Sequence, residues 1–376
     1  METVKGIYAE AKIYTTNNKE NALDDYARAQ LQAICDNKVS EESIIRVMPD
    51  VHPGKVGTIG LTMTVGKAIM PNLIGIDIGC GMSMVKIKKK KLEFQKLDKV
   101  IRENIPVGSD VRKNIHAWAE DFAFDRLNCV SSIRLDKAKK SLGTLGGGNH
   151  FIEIDQSEQG ELYILVHSGS RHLGKEVTEF YLNQGQKVLK ERGEEVPYEL
   201  TYLEGNLMEA YLQDLQVLQE YASLNREIMI REILKGMKLK AEEEYDCIHN
   251  YVDFSGETPL LRKGAISAKQ GELCIIPINM KDGVILARGR GNSDWNMSAP
   301  HGSGRVTKRT EVANQYTVSA FKSEMKGIYS SCIGKDTLDE APMAYRNMED
   351  MLEVIGDTVE VEQILRPVYN FKAGRD

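Results

Sequence analysis

Leu73-Ile74-Gly75-Ile76-Asp77-Ile78-Gly79-Cys80-Gly81-Met82-Ser83-Met84-Val85-Lys86-Ile87 is where the chain declares its organisation. Residues 73–77 are an apolar run that predicts a strand, and 83–87 predict a second one. Glycines at 75, 79 and 81 allow a tight bend between them. The bend carries an acid, Asp77, and a thiol, Cys80. A carboxylate and a thiolate aimed at one spot make a ligand pair for a divalent transition metal, and a thiolate can also bridge two ions. The plainer alternative makes Cys80 a small buried residue and Asp77 a turn cap.

Working outward, Thr58-Ile59-Gly60-Leu61-Thr62-Met63-Thr64-Val65 alternates with period two and predicts a half-buried strand. Short apolar runs at 151–154, 162–167, 273–278 and 283–287 read as further strands. Residues 21–35 predict a helix with Leu23, Tyr26, Ala27, Leu31 and Ile34 near one face. From about 175 to 240 the pattern turns helical: Leu207, Tyr211, Leu215, Leu218 and Ala222 keep three-to-four spacing. The reading is a helical insertion between two strand-rich halves, with no internal repeat and no low-complexity linker.

Composition narrows the classes. With 376 residues, 41% hydrophobic and 28% charged, the chain is globular rather than disordered. A formal net charge of −6 excludes nucleic-acid binding by diffuse basic charge, so any such contact is local. The lysine run at 86–91 reads as a solvated face after a strand, with an RNA-backbone role as the alternative. No run of 18 apolar residues predicts a membrane span, and Met1-Glu2-Thr3-Val4-Lys5 lacks the apolar core of a signal peptide. Six scattered cysteines without a CxxC pair point to a reducing cytosol and away from a Cys-rich zinc site.

The seven histidines are the informative residues, because several sit beside glycines or at strand ends. Gly146-Gly147-Gly148-Asn149-His150 implies a close backbone approach to a ligand, and exposed N–H groups in such loops attract phosphate. It is not a Walker loop, because GK[ST] is missing. His150 and Glu153 bracket a strand start. His167 ends an apolar strand, where open α/β sheets place functional groups, and Arg171 could grip a phosphate bidentately. His249 in Cys247-Ile248-His249-Asn250-Tyr251 follows the helical segment. His301 opens a Gly-x-Gly turn, and a histidine beside backbone donors is suited to attack phosphorus. Each signal has an ordinary reading as a core histidine or a turn; it is their joint occurrence that points to chemistry.

Together these residues resemble the RtcB family of RNA ligases. The matching stretches are PDVHPGK (49–55), IGIDIGCGM (74–82), GTLGGGNHFIE (143–153), VHSGSRHLG (166–174), HNY (249–251), HGSGR (301–305), DEAPMAYR (339–346) and VYNFK (368–372). The resemblance implies a single compact α/β domain over 1–376, with mixed sheets, flanking helices and a helical insertion near 175–245. It implies joining of RNA 3′-phosphate or 2′,3′-cyclic phosphate ends to 5′-hydroxyl ends, in tRNA splicing or RNA repair, with GTP and two Mn²⁺ ions. Asp77, Cys80 and His150 would hold one ion; Cys80, His167 and His249 would hold the other. His301 would carry GMP. Asn149, Glu153, Asn250, Pro277, Ile278, Asn279, Met280, Gly302, Ser303, Gly304, Tyr345 and Lys372 would surround the nucleotide, and Arg171 would hold the terminal phosphate. A cytoplasmic monomer acting on tRNA halves or broken RNA, with an activating protein partner, completes the expectation.

The match departs at the nucleotide loop. Where the family has glycine after proline, this chain has Ile278, which cannot adopt glycine's backbone range. Ser303 stands in place of alanine, and Pro300 precedes His301. Two rival readings use the same ligands: a two-metal phosphatase or nuclease, and a non-catalytic RNA-end binder.

Overall fold

A computed structural model describes residues 1–15, 23–88 and 91–374. Residues 21 and 22 of the expected first helix, and Lys89 and Lys90 of the lysine run, lie outside them. The observed helix is Asp25–Cys35, capped by the Asp24 carboxylate, which accepts from the backbone N–H groups of Tyr26 and Ala27. It buries Ala27, Leu31, Ile34 and Cys35.

Two sheets dominate. The larger runs Ala241–Ile248, Gly81–Ile87, Leu162–Ser168, Phe151–Gln156, Val359–Lys372, Gly283–Gly289 and Leu273–Asn279 from edge to edge. Every pairing in it is antiparallel. The smaller runs Glu2–Lys5, Glu10–Ile13, Ile45–His52, Ile59–Thr64, Leu260–Lys263 and Asn250–Asp253, with one parallel pair, Glu10–Ile13 against Ile45–His52. The mixed α/β class with flanking helices is therefore as expected. The reason given for His167 is not: the carboxyl-end rule belongs to parallel sheets. Register places His167 instead, opposite Met82 on one side and Phe151 on the other.

The run at 73–77 is not a strand. Pro71–Leu73 is a short 3-10 turn, and the chain bends on to Gly81 before it pairs. Leu73, Ile74 and Ile78 are buried all the same, so their apolarity reports a loop packed on the core. Alternation alone cannot separate those cases.

The helical segment is two helices, Arg171–Glu191 and Gly205–Met237, and ends earlier than expected because Ala241–Ile248 is an edge strand. The long helix is no appendage. Its Met229, Ile230 and Ile233 pack in one core cluster with Ile152, Ile164 and Val166 of the large sheet. Among the described residues no helix is long and apolar enough to cross a membrane.

Register and connection bring the reactive residues to one end of the large sheet. Cys80 immediately precedes Gly81, which pairs with both Ser168 and Ile248. His150 immediately precedes Phe151, which pairs with His167. His249 is the single residue between Ile248, which ends an edge strand of one sheet, and Asn250, which begins an edge strand of the other.

Candidate functional site

Side chains from four distant segments meet there. Cys80 Sγ lies 3.6 Å from His150 Nε2 and 3.4 Å from His167 Nε2. His150 Nε2 is 2.9 Å from Asp77 Oδ2, and His167 Nε2 is 3.4 Å from His249 Nε2. Two three-residue groups result, Asp77–Cys80–His150 and Cys80–His167–His249, sharing the thiol. Bonds of about 2.0–2.3 Å set neighbouring donors around one ion roughly 3 to 3.7 Å apart, and within each group here the donor atoms lie within 4.8 Å of one another.

The hydrogen bonds behind the rings decide what the front atoms offer. His150 Nδ1 is 2.9 Å from Leu145 O, and His167 Nδ1 is 3.1 Å from Asn149 O. A carbonyl only accepts, so each Nδ1 carries the proton and each Nε2 presents a lone pair. Burial, with His150 nearby, keeps His167 neutral far below the ordinary histidine range; burial, with His301 and His167 nearby, does the same for His249. The lone pair of His150 Nε2 thus faces the Asp77 carboxylate, an arrangement that a bound cation would satisfy. The donor set fits a divalent metal pair. Burial and the Asp77 charge push the Cys80 thiol up, a shift that a bound cation reverses.

Two glycines permit the approach. Gly79 has φ +70°, and a Cβ there would meet Ala222 Cβ at 2.8 Å. A Cβ at Gly169 would sit 2.1 Å from Asp77 Oδ1.

His301 is held differently. It follows Ser298–Pro300, a strand paired with Ala265–Ser267. Its ring centroid is 4.8 Å from that of His249. Its Nδ1 is 2.6 Å from Asp50 Oδ2, which also accepts the His301 backbone N–H at 3.1 Å. Asp50 is wholly buried. The carboxylate fixes the proton on Nδ1 and leaves Nε2 with a free lone pair. His167, His249 and His301 open onto a cavity of about 1060 Å³.

Residues 30–128 and 119–373 match the RtcB family, described as tRNA-splicing ligase RtcB. The chain belongs to the RtcB family. It is 34% identical over 369 residues to the RNA-splicing ligase RtcB of Escherichia coli K12, covering 86% of this chain and 88% of that one. It is 29% identical over 353 residues to the RNA-splicing ligase RtcB2 of Escherichia coli ATCC 25922, covering 86% of each. It is 24% identical over 442 residues to the tRNA-splicing ligase RtcB of Thermococcus kodakarensis, covering 93% of this chain and 90% of that one.

Most residues that the RtcB resemblance placed around a nucleotide line this cavity: Asn149, Glu153, Pro277 to Met280, Gly302 to Gly304, Tyr345 and Lys372. Ile278 belongs to the strand Leu273–Asn279, adopts no left-handed conformation, and is buried in a core cluster with Ile276 and Ile285. Its carbonyl accepts from Ser303 Oγ at 2.8 Å, so the loop is tied by the residue that replaces alanine. Burial lifts the Glu153 carboxyl above its ordinary range, and Asn370 donates to it.

Two expected residues are elsewhere. Asn250 does not line the cavity; its side chain bridges Asp77 O at 3.3 Å and Gly264 N–H at 2.9 Å. Arg171 does not line it either. Its guanidinium packs on Gly146 and donates to Gly108 O at 2.8 Å, so it supports the glycine loop.

Other residues of the site, Asp50 behind His301 and three on the cavity wall, were missed as individuals, although their stretches were recognised. Asp50 and His52 lie in PDVHPGK, Glu340 in DEAPMAYR and Asn370 in VYNFK. Glu340 is the hub of a buried ion cluster, 2.8 Å from Lys372, 2.8 Å from Arg309 and 3.1 Å from Arg305. Burial opposes its charge, but the three cations win and hold its carboxyl down at about 2. A depressed carboxyl stabilises the fold above its unfolded pKa of about 4.3 and loses that contribution as pH falls through the folded value. Glu340→Ala strands buried Lys372 without its partner, so a loss of about 3–5 kcal/mol is expected at pH 7. Urea denaturation measures it, and the deficit should shrink as pH falls from about 4 to about 2, where wild type also loses the charge. A loss under about 1 kcal/mol would mark the cluster as slack.

Proposed function

We propose that this chain is an RNA ligase that joins 3′-phosphate or 2′,3′-cyclic phosphate ends to 5′-hydroxyl ends, using GTP and two Mn²⁺ ions. The observation that carries the reading is His301, with Nδ1 tied to Asp50 at 2.6 Å and its ring 4.8 Å from His249 on the wall of a large cavity. Hydrolysis by a metal pair needs no such nucleophile.

In this reading Asp77, Cys80 and His150 hold one ion, and Cys80, His167 and His249 hold the other. Bound there, the ions neutralise phosphate charge. His301 Nε2 attacks the α-phosphorus of GTP; a P–N bond forms, and pyrophosphate leaves with the electrons of the broken P–O bond. Asp50 stabilises the positive charge that develops on the ring. An oxygen of the RNA 3′-phosphate then attacks the GMP phosphorus, and the imidazole departs. Finally the 5′-hydroxyl attacks the activated 3′-phosphate, gives up its proton, and releases GMP. A cyclic end is hydrolysed to the 3′-phosphate first. Glu153, Tyr345 and Lys372 form the nucleotide wall, and Arg171 supports the loop at 143–148.

A cavity of about 1060 Å³ supports room for a nucleotide and an RNA end together, since drug-sized ligands occupy roughly 300–1,000 Å³. Action as a single domain and a monomer in the cytosol, on tRNA halves or broken RNA and with an activating protein partner, belongs to the same reading.

The test is incubation with α-labelled GTP and Mn²⁺, followed by denaturation. Label is expected to stay on the protein, to be acid-labile, and to be absent from His301→Ala. RNA hydrolysis without label would instead make the chain a phosphatase or nuclease. RNA-end binding without label or turnover would make it a binder.

A further inference from the structure

The long helix Gly205–Met237 buries two polar side chains at its middle, Asn225 and Arg226, neither of which lines the cavity. A buried amide is costly unless its hydrogen bonds are made. Asn225 makes five. Its Oδ1 accepts from Gly143 N–H at 2.8 Å and Thr144 N–H at 3.1 Å. Its Nδ2 donates to Thr144 O and Ser168 Oγ at 3.1 Å each, and lies 3.2 Å from Gly169 O.

The contact with Ser168 continues. Ser168 Oγ donates to Leu145 O at 2.8 Å, and that carbonyl also accepts from His150 Nδ1 at 2.9 Å. A directed chain results: Asn225 N–H to Ser168 O–H to Leu145 C=O, with His150 N–H on the carbonyl's other lone pair. Every member is buried. The neighbouring Arg226 spans Gly79 O and Ser168 O at 2.8 Å each, tying the residue before Cys80 to the residue after His167. Its charge is met by Asp246 at 2.8 Å.

We propose that Asn225 and Ser168 are positioning residues for the metal pair: they anchor the Leu145 carbonyl where it accepts from His150 Nδ1, and so keep the proton on Nδ1 and aim Nε2 at Cys80 and Asp77. This rests on the metal-dependent reading above. An ordinary core asparagine would brace the loop at 143–144 alone; the contact with Ser168 joins that brace to a ligand's ring.

Asn225→Asp keeps acceptors for Gly143 and Thr144 but turns an oxygen toward Thr144 O, Ser168 Oγ and Gly169 O. Ser168→Ala removes only the middle hydroxyl. Loss of an outer partner of a metal ligand costs about 10–100-fold in metal affinity, so Asn225→Asp is expected across that range and Ser168→Ala near its lower end. Two readouts are taken on full-length protein: Mn²⁺ affinity by electron paramagnetic resonance, and the His150 tautomer in the metal-free state by long-range ¹H–¹⁵N spectra. Wild type should show Nδ1–H only, and both variants should show a mixture. If Asn225→Asp fails to fold, Ser168→Ala carries both readouts. Variants with the wild-type tautomer and wild-type affinity would overturn the proposal. Wild type that binds no Mn²⁺ would sink the metal reading, while the tautomer arm still decides the relay.

Discussion

Cys80→Ala is expected to remove both metal groups at once. The thiol is the one atom common to the two constellations, 3.6 Å from His150 Nε2 and 3.4 Å from His167 Nε2. Without it each group keeps two donors, Asp77 with His150 and His167 with His249. Two protein donors are fewer than the three of an ordinary catalytic site. The drop for each ion should exceed about 100-fold, the upper end of what an outer partner costs. The fold should survive, because replacing a buried cysteine by alanine removes one atom and strands no charge; volume changes that small cost about 1 kcal/mol or less. Calorimetry with Mn²⁺ beside a thermal melt of the metal-free protein separates the two effects. A variant that still binds one Mn²⁺ with wild-type affinity shows that the groups are independent. Asp77→Asn supplies the contrast: it should weaken one ion and spare the other, with no large change in melting.

What could be read from the sequence, and what could not, follows from the kind of signal each residue gives. Cys80, His150 and His167 are chemically scarce types close to glycines, so type and neighbours flagged them, whereas His249 has no glycine near it and came from the family resemblance. Their meeting depends on register, and strand pairing between residues as far apart as Gly81 and Ser168 leaves no local trace. Asp50 was hidden by its context. It sits in Ile45–His52, a strand broken by Pro49 and by a register irregularity between Val47 and His52, so period-two alternation fails there. Glu340 lies in the 3-10 segment Lys335–Glu340, which has no periodicity to read. At 73–77 the error ran the other way, since an apolar loop mimics a strand. Arg171 was misplaced because residue type suggests a phosphate grip, whereas its guanidinium is committed to Gly108 and Thr144.

Asp50→Asn should cost about 10³–10⁴-fold in the rate of label transfer from GTP, by analogy with the carboxylate-to-amide change in serine-protease triads. Asp50 touches no part of a nucleotide; it acts through His301. Its carboxylate can only accept, and at 2.6 Å it holds the imidazole proton on Nδ1. An asparagine of the same shape can turn its NH₂ toward Nδ1. That ring nitrogen must then accept, and the proton moves to Nε2, the atom that attacks phosphorus in the proposed reaction. The change also removes the negative charge that offsets the cationic ring when the P–N bond forms. The split between binding and chemistry distinguishes this from damage to the site. GTP affinity should change less than about tenfold, because the cavity wall is intact, while the first-order rate of labelling collapses. A merely structural Asp50 would give the opposite result, with weaker GTP and Mn²⁺ binding, a lower melting temperature, and near-normal labelling once saturated. Raising pH should not rescue the variant, since a neutral imidazole in the wrong tautomer carries no proton that hydroxide removes near pH 9. Asp50→Glu offers the converse check: it keeps an acceptor for Nδ1, and any activity it retains above Asp50→Asn measures what proton placement contributes.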